Sequence, residues 1–370
     1  MSAASAGQAP TVLLVSPLPP RAGGIGVQSA MWLRRMRADG WRVRALRYNT
    51  GERQVASWPR PLRRGVKVLL WLVYLLRVLA AVPRCDVVLL VTNSYMTFHL
   101  KARPVLRVAG WFGRPVVLLY KGGDAARFLE AQGDVVLPAM RRAARLVVPS
   151  PFLEEVFAGH SLEAAIIPNM IDDERFTFRP RPVEPLRGLV TRALEPLYNN
   201  ACAIRAWAIL RRRHPDAELW IAGEGPLKHE LHRLAEAECP GGVRFVGQVP
   251  HGEMGRLYDQ CTVLVNPTNV DNMPGSVLEG QTAGLPVVST NVGGVPLLIE
   301  DRRTGLLVPP DDPEAMAAAV EQLVLDESLA PRLVEAAREA VQPYQWAAVG
   351  PAWQGLLREV AEGDASRHVR

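Results

Sequence analysis

The chain has 370 residues, 48% of them apolar, with four cysteines (Cys85, Cys202, Cys239, Cys261) at no paired spacing, which suits two domains with real cores and argues against a disulfide framework or a zinc site. The net charge of +6 is unevenly spread, with 25 Lys/Arg against 12 Asp/Glu in residues 1–180 and 18 against 25 in residues 181–370; the basic half suits an anionic membrane surface or a phosphorylated acceptor, or is an ordinary Arg-rich solvated face. No basic leader or apolar segment marks MSAASAGQAP as a secretion signal, so a cytoplasmic location is expected, and no motif or aromatic platform supports nucleic-acid binding.

In chain order, Thr11 to Ser16 reads as a buried strand. Gly23-Gly24-Ile25-Gly26 follows, then a helix from about Val27 to Asp39 and a strand from Trp41 to Leu46. This is a βαβ opening with a Gly-rich turn, in which Gly24 and Gly26 either approach a ligand or only supply tight-turn angles. Residues 60–82 form a helix with a wide apolar face and a basic leader. Its longest uncharged run, Val68 to Leu76, is nine residues, against about 20 for a spanning helix, so a transmembrane segment is not expected. The face either packs in the core or docks on an anionic bilayer, with Trp71 and Tyr74 at headgroup level.

Asp86 to Val91 (DVVLLV) and Pro115 to Tyr120 (PVVLLY) are continuous apolar runs, as in a parallel sheet covered on both faces. The loops after them, Thr92 to Tyr95 and Lys121 to Asp124, then open at the carboxyl edge of that sheet. Asp124 is either a ligand contact or a helix N-cap. Another strand spans Arg145 to Pro149, and the Pro-bearing segment Phe176 to Pro185 reads as an interdomain linker.

The second half repeats the pattern. Strands are expected at Leu186 to Thr191, Glu218 to Ala222, Val243 to Val246, Val263 to Val265, Leu285 to Ser289 and Gly305 to Pro310, with helices between them and a terminal helix from about Ala347 to Glu362. Residues 263–299 are the most informative stretch: strand, polar loop, short helix, strand. Such a unit puts loop amides and a helix N-terminus at the carboxyl edge of a sheet, where anions bind. Asp271 and Glu279 bracket the amides of Gly275, Ser276 and Val277. A sugar, a diphosphate and a ribose fit that order of groups. Ser276-x-x-Glu279 is equally a capping box.

The acid, seven residues, acid spacing followed by Gly-Leu-Pro-Val-Val resembles the signature of the retaining GT-B glycosyltransferases of family 4 (glycosyl transferases group 1). That resemblance implies two Rossmann-like doubly wound α/β domains facing each other across a cleft. It gives an acceptor-side domain over 1–180, a nucleotide-sugar-binding domain over 186–345, and a last helix, 346–370, crossing back to the first. It also implies that Asp271, where the signature has Glu, contacts donor-sugar hydroxyls and that Glu279 holds the ribose. Arg192 matches a cation that clamps the donor diphosphate, while Leu197-Tyr198-Asn199 stands where a second clamp, a lysine, is expected. The Gly24–Gly26 turn would face the donor phosphates. Lys121 stands where relatives carry a His, a cation but not one that ordinarily titrates near neutral pH. Lys121 and Asp124 are candidates for the transferred sugar or acceptor, and Gln248 for the base. Glu224 either reaches the ligand or caps the Lys228 helix.

The expectation is a retaining glycosyltransferase using a nucleotide-sugar co-substrate and no other cofactor, acting on a glycan or lipid-linked acceptor in polysaccharide or glycolipid synthesis. With no Asp-x-Asp, His pair or Cys pair, no metal site is expected. The alternatives are a GT-B epimerase or hydrolase, and a non-catalytic sugar-nucleotide or glycan binder.

Overall fold

A computed structural model describes residues 9–19, 23–49 and 60–365. The chain divides into two compact units, Met1–Pro168 with Val349–Arg370, and Asn169–Ala348. In the first unit the strands are β1 (Val12–Ser16), β2 (Val43–Arg47), β3 (Val87–Thr92), β4 (Val116–Tyr120), β5 (Arg145–Val148) and β6 (Ala164–Ile166). They form one parallel sheet in the order β2-β1-β3-β4-β5-β6. Every residue of β1, β3 and β4 is buried, which explains their uninterrupted apolar runs. Leu13, Val15, Val88, Leu90, Leu118 and Val148 point to one face. There they join Tyr74 and Val78 of the Arg60–Ala81 helix, Phe98, and Val105 and Leu106 of the Arg103–Trp111 helix.

The second unit holds β7 (Arg187–Val190), β8 (Glu218–Ile221), β9 (Val243–Phe245), β10 (Val263–Asn266), β11 (Val287–Thr290) and β12 (Leu306–Val308). They form a second parallel sheet in the order β12-β11-β10-β7-β8-β9. The fold is therefore α/β, doubly wound, twice over.

Two expectations change, and one element was not foreseen. The first unit ends at Pro168 rather than near 180. Ile171 and Phe176 belong to the core of the second unit, Ile171 N donates to Tyr344 O at 2.8 Å, and Phe176 packs edge-on against Tyr258. The linker 176–185 is likewise built in: Arg181 donates to the Tyr258 and Ala283 carbonyls at 3.0 and 2.9 Å. The unforeseen element is β6, a three-residue strand too short to carry a periodic signal. The terminal helix, Trp346–Ala365, has its Trp353 ring against Trp32 and its Glu359 paired with Arg145 at 2.7 Å.

Candidate functional site

In the second sheet β7 lies between β8 and β10, so the winding reverses there. Such a switch point opens a crevice at the carboxyl ends of the strands. Arg192 follows β7, Asp271 follows β10, and the two side chains meet: Arg192 Nη2 donates to Asp271 Oδ2. They are 12% and 15% exposed, so solvent screens the pair little. The Tyr198 ring covers the guanidinium, 4.3 Å from its carbon. Burial pulls the Arg192 pKa below its ordinary value, against the opposing influence of Tyr198, Tyr258 and Glu279; arginine nonetheless stays a cation in a protein. A stacked ring, not a second cation, therefore stands where the resemblance asks for lysine.

Glu279 is carried by the Gly275–Ala283 helix. Tyr258 OH donates to its Oε2 at 2.8 Å and lies 3.1 Å from Thr191 Oγ1. Burial pushes the Glu279 carboxyl up to about 7, and the Tyr258 hydrogen bond and the Arg192 charge hold it back. Burial and then Glu279 raise the Tyr258 hydroxyl well above its ordinary value. The capping-box reading fails here. Pro274 occupies the N-cap with no side-chain cap, and Glu279 turns to Tyr258 instead. Ser276 Oγ is buried without a hydrogen-bond partner, an unsatisfied polar atom at the helix start, which is unusual away from a functional site. The first amides of a helix have no partner within it. Val277 N already donates to Pro274 O at 3.2 Å, so of the three expected amide donors Gly275 and Ser276 are the two the helix pattern leaves over.

The next βα turn braces this loop. Gly294 N donates to Asp271 O at 3.1 Å. A Cβ on Gly294 would fall on the Asn272 carbonyl oxygen, and one on Gly293 (φ +53°) on that of Asp271. Asp271 is further fixed by accepting from Asn272 N at 2.9 Å through Oδ1. On the other side, Asn269 N donates to Leu197 O at 2.9 Å, which ties the loop to the Pro196–Tyr198 turn. Gln248 is exposed after β9, at the far edge of the sheet from β10, and is not brought into this cluster. Glu224 pairs with Lys228 at 2.9 Å and does not cap its helix, whose N-cap is Leu227.

The first sheet reverses between β1 and β3. Gly24 is the first residue of the Gly24–Ala38 helix, and Gly26 N donates to Gly23 O at 2.8 Å. These glycines are the opening helical turn rather than a tight loop before it, and neither has positive φ. Past β4, burial pulls the half-buried Lys121 ammonium down to about 7. That direction runs against the expectation that it would not titrate near neutrality. Asp124 holds the N-cap position of the Ala125–Met140 helix but makes no capping bond; it accepts from Tyr95 OH at 2.8 Å. Tyr95 has φ +55°, a strained setting for a bulky residue and one that clusters at functional sites. Among the described residues no group of three or more His, Cys, Asp or Glu is placed to hold a metal ion.

Sequence reasoning missed Tyr258, Tyr198, Tyr95 and the bracing role of Gly293–Gly294. Only the positive-φ demand behind a Gly-Gly pair gave any signal.

The Glu279 carboxyl has a pH signature. Its ordinary pKa is 4.5 and its folded value about 7. Below the ordinary value both states carry the proton and the site's stabilising contribution is complete. Between the two values the folded state alone keeps the proton, so stability falls as pH rises, and above about 7 the loss is complete. Glu279→Gln is expected to melt higher than the parent at pH 8 and to lose that advantage near pH 4.5. Ligand-free melting curves across this range check it.

Comparison with known proteins agrees with this fold. The family model described as "Glycosyltransferase Family 4" matches residues 22–175 and that described as "Glycosyl transferases group 1" matches 188–326. Glycogen synthase of Mycobacterium tuberculosis is 30% identical over 293 residues, 73% of this chain and 69% of the relative. Alpha-D-kanosaminyltransferase of Streptomyces kanamyceticus is 35% identical over 42% of this chain and 41% of its own. Among solved structures, sucrose-phosphate synthase of Thermosynechococcus elongatus superposes with a TM-score of 0.77 at 19% identity, covering 95% of this chain and 99% of its own. HepE of Anabaena, solved with UDP, gives 0.71 at 14% identity, covering 94% and 100%. Taken with the doubly wound pair of sheets and the Asp271–Glu279 spacing, these matches show that the chain belongs to the group 1 glycosyltransferases, the family 4 enzymes of GT-B fold.

Proposed function

We propose that the chain is a retaining glycosyltransferase. It moves a sugar from a nucleotide-sugar donor to a glycan or lipid-linked acceptor, in polysaccharide or glycolipid synthesis. The observation that carries this reading is the convergence of Arg192, Asp271 and Glu279 at the switch point, beside an uncapped helix start. Arg192 and the Gly275 and Ser276 amides stabilise the leaving diphosphate. Glu279 accepts the ribose hydroxyls, and Asp271 orients the sugar. The sugar's bond to the diphosphate oxygen breaks, a bond to the acceptor hydroxyl forms on the same face, and that hydroxyl's proton passes to the departing phosphate. Asp271, already paired with Arg192, is poorly disposed to act as a covalent nucleophile. Charge on the diphosphate is met by arginine and amides, which supports metal-independent chemistry. Lys121 and Asp124 are assigned to the acceptor side, with Lys121 able to change charge near neutral pH. Relatives named for polymer synthesis, such as the amylovoran biosynthesis glycosyltransferase of Erwinia amylovora, support the pathway class. A location on the cytoplasmic side, with peripheral contact to an anionic membrane, suits a lipid-linked acceptor.

A thermal-shift screen with UDP-, GDP-, ADP- and dTDP-sugars, followed by NMR of the transfer product, tests the proposal. One donor class is expected to raise the melting temperature, the product is expected to keep the donor's anomeric configuration, and Glu279→Ala is expected to abolish transfer. An inverted product sinks retention. Turnover of donor without transfer points to an epimerase or hydrolase, and binding without turnover to a non-catalytic binder.

A further inference from the structure

The Arg60–Ala81 helix is apolar on two opposite sides. Tyr74 and Val78 are buried in the core of the first unit. Trp71 Nε1 and Tyr74 OH donate inward, to the Leu100 and Lys101 carbonyls at 2.9 and 2.8 Å. These two aromatic residues therefore cannot be the headgroup anchors expected from the sequence. On the opposite side Leu69, Leu72, Leu76 and Leu79 recur at spacings of three and four, and all are exposed, Leu76 by 65%. Such spacing makes one continuous stripe. The neighbouring helix, Arg103–Trp111, packs on the same face of the sheet and exposes Trp111 (74%) at its end, followed by Phe112.

We infer that this outward face docks on an anionic lipid bilayer. The charge around it supports a bilayer as the occupant. Residues 60–114 hold ten Lys/Arg and a single acid, Asp86, and Arg64, Lys67 and Arg77 on the same helix and Arg107 on its neighbour are exposed. Leucines and an aromatic flanked by basic side chains are the composition of a helix lying in the membrane interface. A second copy of the chain would bring the same positive field against itself. By length and composition alone the segment Arg64–Arg84 is long and apolar enough to cross a membrane. Its inward face is committed to the sheet, however, so the helix lies along the bilayer surface rather than through it. This inference deepens the membrane contact proposed above by naming the surface that makes it, and it stands without sugar transfer.

The experiment is co-flotation of the full chain with phosphatidylcholine vesicles, with and without phosphatidylglycerol. Binding is expected only with the anionic lipid and is expected to weaken as salt rises. Leu72→Gln/Leu76→Gln is expected to cut the bound fraction about tenfold or more, with melting temperature unchanged because both positions are exposed. Arg64→Glu/Lys67→Glu is expected to weaken binding at low salt. Absence of binding by the parent chain overturns the inference. So does equal binding by the leucine variant, loss of a dimer in sedimentation velocity with vesicle binding intact, or resistance to alkaline extraction from native membranes. None of these readouts needs a donor or acceptor, so failure here is separable from failure of the transferase reading.

Discussion

Arg192→Ala is expected to lower kcat/KM by about a thousandfold, at the upper end of what removing one transition-state donor costs. The variant loses its positive partner for the diphosphate and also leaves Asp271, 15% exposed, without its cation. An unpaired, largely buried carboxylate is costly, so the ligand-free variant is also expected to melt lower at pH 8 than the parent. Arg192→Lys is expected to recover part of the melting temperature and little of the activity. Lysine supplies a point charge but not the planar fork, and it stacks less well on the Tyr198 ring. Steady-state kinetics and melting curves on both variants separate the two contributions. An alanine variant within a few-fold of the parent would remove Arg192 from the site.

The second large effect is expected at Gly294→Ala, a position that carries no side-chain chemistry of its own. The new methyl group meets the Asn272 carbonyl oxygen, and neither backbone can yield without moving Asp271, whose own carbonyl accepts from Gly294 N at 3.1 Å. Displacing a positioning residue by about 1 Å can cost around a hundredfold in rate, and a loss of that order in kcat is expected with the nucleotide still bound. Gly293→Ala adds left-handed backbone strain at φ +53° and is expected to destabilise more. Nucleotide titration beside kcat measurement tests the distinction: a binding defect as large as the kcat defect would mean that the whole loop has collapsed, not that Asp271 has been misplaced.

How much of this could be read from residues alone varied by element. The runs VVLLV and VVLLY announced parallel strands because they are covered on both faces, and the acids at 271 and 279 announced a site because their spacing is tied to a loop and a helix start. Tyr258 was hidden, since a tyrosine on a short helix looks like core until its hydroxyl is seen on Glu279. Tyr198 was hidden behind the lysine it stands in for. The 60–82 helix was ambiguous for a different reason: when both sides are apolar, periodicity cannot say which side meets the sheet. Only the packing of Tyr74 and Val78 does. The boundary near 180 was misplaced because three prolines resemble a tether, whereas Arg181 pins that stretch to carbonyls of the second unit.

The joined Arg192 and Asp271 side chains also set what this crevice presents to passing ions. A cation that already holds its own counter-charge, with an aromatic ring against one face, projects little field into solution. Free phosphate should therefore be a feeble competitor, because it must separate the couple while giving the released carboxylate nothing in return. A ligand carrying an anionic linkage and a hydroxylated ring together can satisfy both halves at once.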